Sequence, residues 1–349
     1  MFCFFCNVKL KNKLIYSIIN YVNYRIGDKK LSKTISIIKQ NQENLTEVFK
    51  NGAETDIVFR ELQRDTIGRS GSSPTWGYVY LNNNGKLKFN GIALHKEFDY
   101  DFPMAAYGEK VWSIFGKELL DDSVRVPSID IVEEKSGYPE IISYRLMDNN
   151  KEDMIHIKDI FFNKFEREEI KAKKDVFTID EILECIKMQI KDEENYKKIE
   201  KDMIQVILLD AVTNNGDRHA LNWALVRNEK TNEYTLAVFD HASAFVDMFE
   251  NRSYILGNGW SATYITVGND RGRHNIGSDG KVVVEYISKE YPEYFEDFYD
   301  KLDAKLPNIL ELIKQENMKI DFNRLTSRMS EKKHFLRKLK DRGEMEYDD

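Results

Sequence analysis

The chain has 349 residues, 42% of them apolar and 12% aromatic, which suits one large domain or two lobes with a real core and excludes global disorder. A formal charge of −7 argues against general nucleic-acid binding, which calls for a basic surface. Three cysteines make no disulfide framework and fit a reducing cytosol: Cys3 and Cys6 form a single Cys-x-x-Cys without the further ligands zinc needs, and Cys185 stands alone.

Met1–Val8 is apolar but lacks a positive leader and is too short to span a bilayer. No other run reaches a spanning length, so no transmembrane segment is expected and the reading is a cytoplasmic protein, with secretion as an effector left open. Residues 1–54 are rich in Lys and Asn with intermittent helical periodicity (Leu14, Ile18, Ile19, Val22) and read as a peripheral N-terminal extension. Strands are expected over Asp56–Leu62 and Gly77–Leu81, and Asn82-Asn83-Asn84-Gly85 turns the chain into a third, Leu87–Phe98. Pro103 opens a helix to Leu120 whose apolar positions Met104, Val111, Trp112, Phe115 and Leu119 recur at helical spacing. With strands at Val124–Val132 and Tyr138–Met147, residues 55–150 make an antiparallel sheet with one helix packed on it.

Beyond this point the chain turns mainly helical, over 151–330. Thr178-Ile179-Asp180-Glu181 is a capping box that starts a helix to Lys191, and an amphipathic helix over Glu193–Val212 follows. A hairpin of Trp223–Arg227 and Glu233–Phe239 comes next, then a Gly-, Asn- and Arg-rich stretch over Asn251–Gly280. Helix returns over Tyr286–Gln315, and residues 331–349 read as a charged, solvated tail. The fold class is α+β in two lobes, an antiparallel N-lobe and a mainly helical C-lobe.

The chemistry concentrates at Asn214-Asn215-Gly216-Asp217-Arg218-His219-Ala220-Leu221-Asn222 and at Phe239-Asp240-His241-Ala242-Ser243. Phosphoryl transfer from ATP needs one carboxylate to orient the attacking hydroxyl, plus an amide oxygen and a second carboxylate to hold magnesium against the phosphates. Asp217 suits the first role, and Asn222 and Asp240 suit the second through their hard oxygen donors. Turn chemistry alone accounts for Asn214 to Asp217 but not for Asn222 and Asp240 at the ends of two apolar strands. His219 reads as support that holds the loop rigid. His241 reads as a neighbour of the metal ligand or a solvent-facing side chain.

Lys96 ends an apolar strand, with His95 directed to the opposite face. An edge lysine is the plain reading. A nucleotide site instead sets such an ammonium on the α- and β-phosphates and fixes it with a carboxylate from the adjoining helix. Glu109 lies beside that helix's apolar stripe, and Glu118 is the poorer partner. Between the first two strands, Thr66–Gly77 offers Gly68, Gly71 and Gly77 for close backbone approach and Ser70, Ser72 and Ser73 as hydroxyl donors to an anion, without a Walker A pattern.

In Ser70-Gly71-Ser72-Ser73-Pro74, the Lys96 strand, the Glu109 helix, Asp217 to Asn222 and Phe239-Asp240, the chain resembles the HipA-like branch of the protein-kinase-like fold, with its CtkA-type bacterial kinases. The resemblance covers roughly residues 55–310 and is strongest over 210–245. It implies a two-lobed Ser/Thr protein kinase using ATP and Mg²⁺. Asp217 is then the catalytic Asp, Asn222 and Asp240 the metal ligands, and Lys96 the phosphate-binding Lys. Self-modification of a loop serine, Ser70, Ser72 or Ser73, is also implied. Asp240-His241-Ala242 departs from the Asp-Phe-Gly of ordinary protein kinases, and no Ala-Pro-Glu follows. The N-terminal domain of longer HipA toxins has no counterpart in residues 1–54, which weakens a toxin–antitoxin role and leaves an antitoxin partner open.

Two other readings compete. Gly216-Asp217-Arg218-His219 with Asn222 is also similar to the catalytic loop of phosphatidylinositol 3/4-kinases, which implies a lipid or small-molecule acceptor. A pseudokinase that binds without turnover is the other. The phosphate acceptor is not readable from the chain.

Overall fold

Burial alternates along the first strands, with Ile57 and Phe59, Val79, Ala93, Val132 and Ile142 all turned to one side and packed together. A two-residue period of this kind gives each strand one apolar face, and closing the sheet on itself removes that face from water. In the computed structural model, which describes residues 46–50, 56–61, 75–83, 86–98, 104–133, 139–148, 151–173, 176–249, 259–261, 263, 265–267 and 277–347, the sheet does close. Strands β1 (Thr46–Lys50), β2 (Asp56–Glu61), β3 (Thr75–Asn83) and β4 (Lys86–Lys96) pair in sequence. The chain then forms helix α1 (Ala105–Leu119) and a short strand β5 (Val124–Arg125), and returns through β6 (Ile129–Glu133) and β7 (Pro139–Tyr144). β7 pairs with β4, and the barrel is sealed where Lys50 of β1 meets Glu133 of β6.

Residues 46–50 form the first barrel strand instead of belonging to a helical extension. The sheet is antiparallel as expected, and it closes into a barrel. The single strand expected over Val124–Val132 is also divided, β5 leaving to pair with the C-lobe. Among the strands, β3 and β4 shift register at Val79/Tyr80, where Asn90 is the extra residue beside Gly91 at φ 146°. Helix α1 buries Val111, Trp112, Phe115 and Leu119 against the C-lobe core.

The C-lobe begins with β8 (Glu152–His156), α2 (Ile157–Phe161), α3 (Arg167–Ala172) and β9 (Phe177–Thr178). Helix α4 (Ile179–Gln189) starts with the expected capping box: the Thr178 hydroxyl accepts from the Glu181 N–H at 3.1 Å, and the Glu181 carboxylate accepts from the Thr178 N–H at 3.0 Å. Helix α5 (Glu193–Val212) is N-capped by Asp192 and is almost wholly buried from Ile199 on, which its dense apolar run requires. Strands β10 (Trp223–Asn228) and β11 (Tyr234–Val238) form the hairpin, flanked by β8 and β5 in the order β5-β11-β10-β8. Helix α6 (Val246–Phe249) and strand β12 (Ile265–Thr266) follow, then α7 (Gly280–Glu290), α8 (Pro292–Gln315) and α9 (Phe322–Tyr347).

The helix expected over Tyr286–Gln315 is therefore two, broken at Tyr291, with Pro292 at the first position of the second. The segment read as a solvated tail continues α9, where Leu325, Met329, Lys332 and Leu336 are buried. Among the described residues, no helix is long and apolar enough to cross a membrane.

Candidate active site

Lys96 is the last residue of β4, and strand alternation turns it away from the barrel interior that holds His95. Its ammonium donates to Glu109 Oε1 at 3.2 Å and to Asp240 Oδ1 at 2.6 Å. Glu109, 2% exposed, uses its other oxygen to accept the backbone N–H of His241 at 2.8 Å. One carboxylate from α1 thus ties a barrel strand to the loop after β11. Glu118, read as the poorer partner on the same helix, lines a cleft between α1 and the end of α8.

The β10–β11 hairpin brings Asn222 and Asp240 together. Trp223 pairs with Val238, and the ladder continues one step outward, the Phe239 N–H donating to the Asn222 carbonyl at 3.1 Å. Asn222 also donates from Nδ2 to the Asp217 carbonyl at 2.8 Å, so the two polar residues of the loop are fixed to each other. Asp240 takes φ 58°, a left-handed conformation that is uncommon outside glycine and tolerated best by Asn and Asp. The His219 ring accepts the Leu221 N–H at Nδ1, 3.2 Å away, within the same turn.

The electrostatics follow from burial and neighbours. Burial alone draws the Lys96 ammonium down, but the charges of Glu109 and Asp240 outweigh it and hold the group above its ordinary value. For Asp240 burial pushes upward, and Lys96 and Arg218 outweigh it, leaving the carboxyl below the usual range. Asp217 is pushed up by burial and by the negative charge of Asp240, against the opposing charges of His219 and Arg218. Burial likewise raises Glu109, Lys96 opposing. Asp217 and Glu109 both feel the negative charge of Asp240, so three carboxyls gather near one lysine.

Beneath the site lies a polar network centred on Asp210 and Arg218. Both are buried, and Arg218 donates from Nε to Asp210 Oδ2 at 2.7 Å and from Nη2 to Oδ1 at 3.1 Å. Its Nη1 reaches the carbonyls of Asn222 and Phe239, each at 2.8 Å, and Nη2 donates to His241 Nδ1 at 2.6 Å. Trp112 of α1 donates its indole N–H to Asp210 at 3.0 Å, and Asn215 donates to the same carboxylate at 2.7 Å. His241 is fully buried, which removes the solvent-facing one of its two readings. Asp210 carries a signal in the sequence: a carboxylate inside the apolar run Met203–Val212 demands a cation nearby, and Arg218 supplies it.

The phosphate-loop positions Ser70, Gly71, Ser72 and Ser73 lie outside the described residues, as do Cys3 and Cys6. Among the described residues, His95, Glu97 and Glu140 have ligand atoms within 4.8 Å of one another, but this group sits across β4 from Lys96 and contains neither Asn222 nor Asp240.

With this geometry in view, the likeness to solved structures is informative. A Helicobacter pylori proinflammatory kinase, CtkA, superposes with a TM-score of 0.55 at 16% identity, covering 80% of this chain and 94% of that one. The chain shares the fold of that kinase structure. HipA of Shewanella oneidensis MR-1, solved with HipB and its operator DNA, superposes with a TM-score of 0.46 at 12% identity, over 81% of this chain and 66% of that one. No family model matches the sequence, and no curated protein matches it. Identities this low make the likeness one of fold, so the chemistry of the site rests on its own residues.

Proposed function

We propose that this CtkA-like chain is an ATP- and Mg²⁺-dependent phosphotransferase that carries the γ-phosphoryl group to a serine or threonine hydroxyl of a protein. The observation that carries the reading is the Lys96 ammonium held between Glu109 at 3.2 Å and Asp240 at 2.6 Å, with Asp217 close enough for Asp240 to shift its ionisation. Lys96 binds the α- and β-phosphates and Glu109 fixes its direction. Ser70, Gly71, Ser72 and Ser73 are assigned to the phosphates from the sequence, as hydroxyl and backbone N–H donors to an anion.

The donors present fit magnesium. Asn222 and Asp240 end two facing strands and offer an amide and a carboxylate oxygen, and Asp240 stays ionised because Lys96 and Arg218 outweigh the effect of its burial. Magnesium bound with ATP would neutralise the charge that develops on the transferring phosphate. In the transfer the acceptor oxygen bonds to the γ-phosphorus, the bond to the β-phosphate oxygen breaks, ADP leaves, and Asp217 accepts the hydroxyl proton. Its raised pKa makes it a better proton acceptor than an ordinary aspartate. Asn222 orients Asp217 by donating to its carbonyl.

The test is to incubate the full chain with Mg²⁺ and γ-labelled ATP, alone and with generic protein acceptors or phosphoinositide vesicles, and to map the phosphate by mass spectrometry. Label on Ser70, Ser72 or Ser73, or on an acceptor serine or threonine, in wild type and not in Asp217→Ala supports the reading. Label on the lipid alone moves the acceptor to a phosphoinositide. Mg²⁺-dependent ATP binding with no label anywhere makes the chain a binding module.

A further inference from the structure

Helix α5 ends in a motif whose backbone is complete without any side chain. Asn214, the residue just past the Thr213 cap, has φ 56°. Its N–H donates to the Ala211 carbonyl at 3.4 Å, while the Asn215 N–H donates to the Asp210 carbonyl at 2.8 Å. This is the paired hydrogen-bond pattern of a Schellman termination, in which glycine is the favoured left-handed residue and asparagine the second choice. Backbone needs alone therefore do not select asparagine at 214.

The Asn214 side chain shows what glycine would lack. Its Oδ1 accepts from the Lys332 ammonium at 2.9 Å and from the Ser261 N–H at 3.4 Å, and its Nδ2 donates to the Gly259 carbonyl at 3.2 Å. Lys332, 4% exposed, stands on α9 with its ammonium 3.3 Å from the centre of the Trp260 ring. Trp260 in turn meets Phe335 of α9 edge-on at 5.4 Å. Cation–π contact on a desolvated indole is strong enough to hold a buried ammonium in one place. Three segments distant in sequence, the turn before Asp217, residues 259–261 and α9, thus converge on one amide.

We infer that Lys332 is a positioning residue for phosphoryl transfer, acting through the Asn214 amide to hold the turn that delivers Asp217. This rests on the reading of Asp217 as the residue that faces the acceptor hydroxyl. α9 then serves as a clamp on the catalytic turn, and the charge of a segment that reads as solvated surface has a buried function. A shift of about an ångström in such a turn is enough to cost a large factor in rate while leaving nucleotide affinity nearly intact.

The experiment uses full-length Lys332→Met, Asn214→Gly, the double variant and Lys332→Arg. Asn214→Gly keeps the left-handed turn and removes the amide's bonds to Lys332, Ser261 and Gly259. Each single variant is expected to lower kcat at least tenfold with KM for ATP within twofold, the double variant to be no worse than either single one, and Lys332→Arg to recover part of the loss. Hydrogen exchange gives a readout independent of turnover: amides of 215–222 should exchange at least fivefold faster in Lys332→Met, those in the middle of α5 unchanged. Single variants with wild-type kcat, multiplicative effects in the double variant, or unchanged exchange at 215–222 overturn the inference. An inactive wild type would instead strike the kinase reading, while the exchange measurement still decides whether Lys332 holds the turn.

Discussion

The imidazole of His241 lies flat on the indole of Trp112, with ring centroids 3.6 Å apart and planes 9° apart. Trp112 belongs to α1 and His241 to the loop that carries Asp240, so the stack joins the two lobes directly behind the site. The Glu109 contact with the His241 N–H and the Trp112 contact with Asp210 run parallel to it. Helix α1 is therefore held to the C-lobe by three polar or stacking contacts of Glu109 and Trp112, and Lys96 meets Glu109 without a separate event to bring the helix in.

That stack predicts an acid sensitivity. Burial, and the charge of Arg218, keep the His241 imidazole well below its ordinary pKa, with Nδ1 accepting from Arg218. A histidine whose folded pKa lies below its unfolded value of about 6.5 contributes stability above that pH. The contribution is lost as pH falls, because the unfolded chain takes up a proton the folded chain excludes. Below about pH 6.5 this one group should cost about 1.4 kcal/mol per pH unit. Thermal melts from pH 7.5 to 5.0 should show a shallower acid slope for His241→Phe than for wild type, although the variant melts lower at pH 7.5 through the orphaned Arg218 donor. The other histidines are common to both chains and cancel in the difference. Equal slopes would mean that His241 takes its charge in the folded state.

Gly108 predicts a steric effect. A Cβ built there would lie 2.4 Å from the Ala244 carbonyl oxygen and 3.3 Å from that of Ala242, both backbone atoms of the loop after Asp240. Backbone does not yield as a side-chain tip does, so Gly108→Ala must separate α1 from that loop. The expected cost is about 1–3 kcal/mol of stability together with at least a tenfold loss of phosphotransfer, read from denaturant melts and label transfer. Wild-type values in both would show that the close approach is not required.

Asp202 on α5 predicts a gain. It is fully buried, its Oδ1 accepts from Ser123 at 3.0 Å, its Oδ2 has no hydrogen-bond partner, and burial pushes the carboxyl up to about 6. An acid whose folded pKa is raised lowers stability as pH climbs from its unfolded value towards the folded one, and the loss is complete above the latter. Asp202→Asn should therefore stabilise the protein by about 1–3 kcal/mol at pH 8 and by much less at pH 4.5. A gain that does not depend on pH would contradict burial of the charge as its cause.

Local signals carried much of the architecture. The capping box at Thr178 and Glu181, the buried run that ends α5 and the hairpin around residues 228–233 were all visible as patterns of neighbours. What was hidden depends on distant pairing. The barrel closes through Lys50 and Glu133, and nothing in the Lys- and Asn-rich stretch before residue 50 announces an edge that must be covered. Strand β8 is half-buried at every position, so it lacks the alternation that would reveal it. In α9 the charged residues mask a stripe of Leu325, Met329, Lys332 and Leu336, one member of which is itself a lysine. At the site, the role of Trp112 was out of reach for the same reason, since a tryptophan at an apolar helix position gives no hint that its N–H bonds a carboxylate on another helix.

On the proposed function, Lys96, Asp217 and Asp240 act together on a nucleotide. The most direct measurement is Mg²⁺-dependent turnover of γ-labelled ATP by the full chain, beside Asp217→Asn and Lys96→Met, each checked for a wild-type melting profile. Turnover is expected in wild type, with a loss of at least a hundredfold in both variants and none when Mg²⁺ is chelated. Turnover that survives in a folded Asp217→Asn or Lys96→Met protein would contradict the proposed function.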